Sequence, residues 1–196
     1  MTNDTNFRLA ATSDARALAM LIDIAGEGLP SSIWRQSSAE DQDPIDIGME
    51  RARRETGGFS YRNAVVAEVV DGNVVGMLLG YPIEVAPKDG PEDVPPAFAP
   101  FLDLEAKSVG TWYVNALAVM PGYQGRGIGS SLMAEAERQA AASQVARLSI
   151  QVFAQNTSAY TLYRRLGYIE TARSPVRTFP CQPYYTGDVV LLEKDV

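Results

Sequence analysis

The residues best suited to chemistry run from Leu117 to Ser130, LAVMPGYQGRGIGS. An apolar run enters Pro121-Gly122, continues through Gln124-Gly125-Arg126-Gly127-Ile128-Gly129, and passes at Ser130 into a helical pattern. A strand, a glycine-dense turn and a helix start, in that order, make a backbone cradle for an anion. The first N–H groups of a helix have no intrahelical partner and carry partial positive charge. Glycines let a phosphate approach that backbone closely. Arg126 lies beside the turn, where a guanidinium can pair with a phosphate. The expected ligand is a phosphorylated cofactor.

Three phosphate-binding patterns can be tested against this spacing. A Walker A loop needs G-x-x-x-x-G-K-[S/T]; Gly122 and Gly127 have the separation, but Ile128 stands where the lysine belongs. The dinucleotide fingerprint needs G-x-G-x-x-G, whereas Gly125, Gly127 and Gly129 alternate strictly, and no clean acidic residue ends the next strand. The third pattern, [Q/R]-x-x-G-x-[G/A] between strand and helix, is met by Gln124, Gly127 and Gly129.

Composition excludes other chemistry. The chain has no histidine and one cysteine, Cys181, between Pro180 and Pro183. That removes imidazole bases, Ser-His triads and a zinc site of the usual kind, so no metal is expected. Cys181 reads as a free thiol with no histidine to activate it. The net charge of −7 argues against a broad grip on nucleic acid and suits a cationic small molecule. No run approaches the roughly 20 apolar residues of a membrane span. The start, MTNDTNFRLA, lacks a basic segment and an apolar core, so no signal peptide is expected; with a single cysteine, the expectation is a cytoplasmic protein.

The elements that must position the cradle follow from periodicity. The length of 196 residues and 46% hydrophobic content suit one domain spanning 1–196, with a proline-rich acidic loop at 84–105. Phe7–Ala10 reads as a strand, and Thr12 or Ser13 caps a helix to Ala25 with Leu18, Leu21, Ile22 and Ala25 on one face. Residues 26–42 read as a linker. Asp43-Pro44 opens a helix to about Glu55. Asn63–Val70 and Val74–Ile83 are strands around an Asp71-Gly72 turn. One short helix is expected near Pro95–Leu102. Thr111–Met120, nearly all apolar, is a strand covered on both faces. Gly127–Ala142 is a helix with Ile128, Leu132, Ala136 and Ala140 in line. Ala146–Phe153 is a strand, Asn156–Leu166 a helix closed by Gly167, and Asp188–Leu192 a final strand. The unit from 111 to 153 implies a parallel pair with a right-handed crossover.

VNALAVMPGYQGRGIGSSLM and the later NTSAYTLYRRLGY, which begins at Asn156, together resemble the GCN5-related N-acetyltransferase (GNAT) superfamily. The former is similar to the family's fourth strand and coenzyme A loop. The latter is similar to its N-x-x-A-x-x-L-Y-x-x-x-G-[F/Y] helix, some 30 residues on. The resemblance covers 111–170 strongly and the rest weakly. It implies an α/β fold: a mixed, mostly antiparallel twisted sheet of six or seven strands with helices on both faces, strands four and five parallel and splayed. It implies acetyl transfer from acetyl-coenzyme A (acetyl-CoA) to a primary amine. In that scheme Gln124, Gly125, Arg126, Gly127, Ile128, Gly129 and Ser130 hold the pyrophosphate. Leu117, Ala118 and Val119 line the pantetheine arm, with the Val119 N–H on the thioester carbonyl. Asn156 contacts the arm, and Tyr163 protonates the departing thiolate. By periodicity alone, Tyr163 is a core residue and Asn156 a helix cap.

Relatives often carry a glutamate near position 115. Here Asn115 stands there, able to orient a water but not to accept a proton. Tyr113, Glu105, Asp103, Glu68 and Glu27 are alternative bases, as is a solvent relay. The absent base keeps open a non-catalytic acyl-CoA sensor. Trp34, Trp112 and Phe59 read as packing residues, although Trp34 lies where acceptor pockets form. The acidic stretch 84–105 reads as solvated, or as lining for a cationic acceptor. The C-terminal strand offers an edge for a homodimer.

Overall fold

The structure, a computed structural model, describes residues 5–85, 96–177 and 186–196. Residues 86–95 of the acidic stretch, and Cys181 with its flanking prolines, lie outside the described residues. In chain order the elements are β1 (Thr5–Leu9), α1 (Ala15–Ala25), α2 (Leu29–Ser37), α3 (Pro44–Ala52), β2 (Ala64–Val69), β3 (Val74–Pro82), α4 (Ala99–Glu105), β4 (Trp112–Val119), α5 (Ile128–Ala142), β5 (Arg147–Phe153), α6 (Thr157–Arg165), β6 (Ile169–Pro175) and β7 (Asp188–Asp195). The strands hydrogen-bond as one seven-stranded mixed sheet in the order β1-β2-β3-β4-β5-β7-β6. The chain divides into two compact units, Met1–Gly80 with Asn115–Glu135, and Tyr81–Val114 with Ala136–Val196.

In the first unit, β1 and β2 pair antiparallel, as do β2 and β3, with a register shift at Ala67/Glu68. Leu18 and Leu21 of α1 are fully buried with Val66, Met77, Leu79, Ala116 and Ala118, and Ile22 and Ala25 pack against that cluster. The expected face of α1 is therefore the core face. Its helix starts later than the spacing predicts, because Thr12–Asp14 forms a 3-10 turn first. Asp14 is the reason. Its Oδ2 accepts from the Ala11 N–H at 2.8 Å and from the Arg8 guanidinium at 2.7 Å. Arg8 also pairs with Glu68.

The Arg8 guanidinium, helped by the Ala11 N–H, holds the Asp14 carboxyl below the usual range against the opposing effect of burial. A depressed carboxylate contributes stability above its unfolded pKa of about 3.9, and that stability is lost as pH falls through the folded value. Asp14→Ala is expected to cost about 2 kcal/mol near neutral pH. The difference from wild type in urea midpoints should shrink below about pH 4; a constant difference down to acid would contradict this.

Residues 26–42 are not simply a linker. They contain α2, nine residues long, with Leu29 and Trp34 each 3% exposed. Sequence periodicity misses it because two apolar anchors in a serine-rich run make no stripe. Tertiary contacts supply the rest: the Asp23 carboxylate of α1 accepts from the Ser31 N–H at 2.7 Å, and Trp34 stacks on Phe59 with ring centroids 6.3 Å apart. Trp34 is thus a packing residue. Asp43 caps α3 as its spacing predicts, its Oδ1 accepting from the Ile45 N–H at 3.0 Å. The helix ends at Ala52, short of Glu55.

In the second unit, β4 and β5 run parallel with Trp112, Tyr113 and Val114 opposite Leu148, Ser149 and Ile150. β5 and β6 occupy the two edges of β7. The C-terminal strand is therefore interior to the sheet, and the edge expected for a homodimer does not exist. β6 escapes the sequence reading because IETARSP has no apolar alternation; its residues alternate only between exposed and half-buried. α4 runs to Glu105, beyond the expected Leu102, with a 3-10 turn on each side. It seats Leu104 with Phe153, Val189 and Leu191. Ile128, Leu132, Ala136 and Ala140 of α5 are all buried, as their spacing predicts.

Candidate active site

β4 carries the polypeptide to the cradle. Ala116 and Ala118 are each 6% exposed and point into the first unit's core, so Ala118 can offer a ligand only its backbone. Leu117 and Val119 alternate with them onto the other face and are half-buried. Asn115 is exposed. The Met120 N–H donates to the Val75 carbonyl of β3 at 2.8 Å. Backbone groups of successive strand residues point to opposite edges, so the N–H and C=O of Val119 point away from β3. The Gln124 side-chain amide donates to that Val119 carbonyl at 3.0 Å. Gln124 thus braces the end of the strand against the loop.

Beyond a 3-10 turn at Pro121–Tyr123, Gln124 is extended and the chain turns through Gly125 at φ +72° and Gly127 at φ +84°. This left-handed region disfavours a side chain, which explains two of the alternating glycines. The space where their Cβ atoms would lie holds nothing within 4 Å. The Ser131 N–H donates to the Gly127 carbonyl at 3.0 Å, the first turn of α5. The N–H groups of Ile128, Gly129 and Ser130 precede it and have no intrahelical acceptor. Among the described residues, no backbone carbonyl accepts from Gly125, Arg126 or Gly127. Six successive N–H groups are thus left to an external acceptor, beside open space. Ile128 is 4% exposed, so its side chain anchors the loop while its N–H serves the cradle. The Arg126 guanidinium donates to the Gly122 carbonyl at 2.8 Å and lies 5.1 Å from the Tyr123 ring centre. Its charge is held at the loop. An anionic phosphate diester fits this donor set.

The second motif lies in the second unit. Asn156 caps α6, its side-chain oxygen accepting from the Ala159 N–H at 3.1 Å, as the capping reading expects. Tyr163 is 4% exposed with its ring 6.1 Å from that of Tyr168. Burial raises its phenol pKa, so the hydroxyl keeps its proton at neutral pH. Tyr168 is also pushed up, by burial first and then by Glu137, but its hydroxyl is buried without a partner among the described residues.

The alternative bases separate by environment. Glu68 is engaged by Arg8. Asp103 is exposed on α4. Glu105, at the end of the same helix, is half-buried, and burial raises its carboxyl pKa. Tyr113 is 4% exposed and raised well above its ordinary pKa by burial, then by Glu105 and Tyr81. Tyr81, absent from the sequence-derived candidates, sets its ring edge-on to Tyr113 at 5.9 Å. That contact depends on strand register, which no local spacing reveals. Among the described residues no three His, Cys, Asp or Glu side chains gather to hold a metal. No helix among them is long and apolar enough to cross a membrane.

Comparison with curated proteins finds no match. Solved structures with the same fold include an N-acetyltransferase from Staphylococcus aureus Mu50, 17% identical over 96% of this chain and 100% of that one, with a TM-score of 0.64. A ribosomal-protein-alanine N-acetyltransferase from Brucella melitensis is 21% identical over 97% and 99%, at 0.60. A Salmonella typhimurium protein assigned as an acetyltransferase, solved with its cofactor acetyl-CoA, is 18% identical over 98% and 94%, at 0.61. The sequence profile of the acetyltransferase (GNAT) family matches residues 30–168, which include both the cradle and the Asn156–Tyr168 motif. With most of its length matched, the chain belongs to the acetyltransferase (GNAT) family, whose members move an acetyl group from acetyl-CoA to an acceptor.

Proposed function

We propose that this chain, acting as a single cytoplasmic domain, acetylates a primary amine of a small molecule or peptide. The run of unpaired N–H groups from Gly125 to Ser130 carries this reading, since it suits the pyrophosphate of acetyl-CoA. Gln124 and Arg126 hold the loop in shape, and the guanidinium adds positive charge. Leu117 and Val119 pair with the pantetheine arm. The Val119 N–H polarises the thioester carbonyl, as an oxyanion donor does. Asn156 contacts the arm and Asn115 orients a water. The amine lone pair forms the C–N bond as the C–S bond breaks; the Tyr163 phenol gives its proton to the thiolate, and the proton that the new amide nitrogen sheds passes through solvent and restores the phenol. The net charge of −7 favours a cationic acceptor.

The test is an acetylation assay over a mixed amine panel, following free coenzyme A thiol and product mass. Release of the thiol with an acetylated amine is the expected result. Tight acetyl-CoA binding without release would replace the transferase with an acyl-CoA sensor.

A further inference from the structure

Tyr168 is a titratable side chain of the second unit that the acetyl-transfer scheme does not use. The chain folds it back toward Tyr163. Gly167, at φ +94°, closes α6; its N–H donates to the Arg164 carbonyl and the Tyr168 N–H donates to the Tyr163 carbonyl, each at 3.1 Å. The Arg164 guanidinium donates to the Tyr168 carbonyl at 2.9 Å. The Tyr163 and Tyr168 rings lie 6.1 Å apart, tilted by 59°. Tyr168 is 1% exposed, and its hydroxyl is buried without a partner among the described residues. Such a hydroxyl loses its hydration and gains nothing in return. Phenylalanine would fill the same space without that loss. The hydroxyl therefore calls for a role that packing does not supply.

A charged pair at the same ring is the second observation. The Lys194 ammonium of β7 stands 6.0 Å from the Tyr168 ring centre and donates to the Glu137 carboxylate of α5 at 2.6 Å. Lys194 is 25% and Glu137 33% exposed, so the pair reaches water. Tyr163, by contrast, is 4% exposed. Tyr168 thus adjoins both a buried phenol that gives up a proton in each turnover and an ammonium group open to solvent.

We infer that Tyr168, with the Lys194–Glu137 pair behind it, returns a proton from solvent to Tyr163 after each acetyl transfer. This rests on the acid role proposed for Tyr163 above. When the Tyr163 O–H bond breaks, its proton goes to sulfur and a phenolate remains. The Tyr168 O–H bond then breaks, its proton forms the new Tyr163 O–H bond, and the electron pair stays on the Tyr168 oxygen. The Lys194 ammonium gives one proton to Tyr168 and takes another from solvent. The net change is one proton moved from solvent to Tyr163. Glu137 holds the ammonium in place and favours its charged form. A water that spans a gap in this path has the Tyr168 hydroxyl, Glu137 and Lys194 as partners, and an internal water makes about three hydrogen bonds. Tyr168 is a positioning residue in this scheme, since it acts through Tyr163 and touches no substrate.

In the experiment the full chain, premixed with acetyl-CoA, is mixed rapidly with butylamine, a terminal diamine, benzylamine or an alanine-initiated peptide. Thiol release is followed through the first turnover and into the steady state. With the fastest of these acceptors, Tyr168→Phe should complete the first turnover at the wild-type rate, because Tyr163 starts with its proton. Later turnovers should be about tenfold slower, with KM unchanged. Lys194→Met should show the same pattern, and it carries the test if Tyr168→Phe does not fold. Tyr160→Phe, which removes a hydroxyl bonded to Glu170 from the same helix, should match wild type in both phases. In urea, Tyr168→Phe should unfold at a lower midpoint than wild type, as when a hydroxyl is engaged through water; removal of an unpaired hydroxyl would raise the midpoint. Wild-type steady-state turnover in either Tyr168→Phe or Lys194→Met would overturn the path, as would equal slowing of first and later turnovers, the same slowing in Tyr160→Phe, or a raised urea midpoint. Tyr163→Phe separates this path from the acid role, since it should be slow from the first turnover onward. A wild-type first turnover in Tyr163→Phe, or no thiol release by wild type with any acceptor, would strike the acetyl-transfer reading itself and the path with it.

Discussion

Gly127→Glu should abolish acetyl-CoA binding while leaving the fold intact. The substitution meets no steric obstacle, because nothing lies within 4 Å of the position its Cβ would take. Its effect comes from two other sources. At φ +84° an L residue is strained by about 1–2 kcal/mol. The carboxylate then sits among the N–H groups that the proposed function gives to the pyrophosphate. Like charges about 4 Å apart at a partly solvated site repel by roughly 4 kcal/mol, which is on the order of a thousandfold in Kd. Gly127→Ala carries the strain without the charge and should cost at most about thirtyfold. Calorimetric titration with acetyl-CoA separates the two. Wild-type affinity in Gly127→Glu would mean that the pyrophosphate binds elsewhere.

Tyr163→Phe should lower kcat about a hundredfold and leave acetyl-CoA affinity unchanged. The phenyl ring keeps the packing against Tyr168, so only the hydroxyl proton is lost. Burial raises the phenol pKa, and the sign matters. An exposed phenol would lose its proton near pH 10. A raised pKa keeps Tyr163 in its acid form beyond that, so the wild-type kcat should show no loss near pH 10 from ionisation of this group. A pH profile of kcat measured at saturating substrate checks this. Unchanged turnover in Tyr163→Phe would remove the tyrosine from the reaction and return it to the core role that its helical periodicity suggests.

The parts of the site and its scaffold are legible in the sequence to different degrees. The strand, turn and helix start around Gln124–Ser130 can be read from residue types, because glycine spacing and an apolar run act over a few neighbouring residues. The capping roles of Asp43 and Asn156 are legible for the same reason, and both residues make the expected hydrogen bonds. The helix at Leu29–Ser37 is not. Its stability comes from Trp34 against Phe59 and from a cap supplied by Asp23, contacts that its own sequence does not contain. Strand β6 is hidden because its pairing with β7, rather than any apolar alternation, makes it a strand.

The base shows the limit most clearly. Four of the five candidates are carboxylates, alike in sequence because a carboxylate's reactivity depends on what surrounds it. Glu68 is neutralised by Arg8, Asp103 is exposed, and Glu105 is half-buried, with its carboxyl pKa raised by burial. The C-terminal strand is an open edge in sequence terms and an interior strand in fact, since sheet order is a long-range property.

By itself the sequence carried the family resemblance, and through it the donor molecule, because the motifs around Gln124, Gly127, Gly129, Asn156 and Tyr163 are short-range spacings. Only the tertiary structure decided which side chains are spent on structure and which are left without partners. Hydrogen bonds, burial and strand register between distant residues set that distinction.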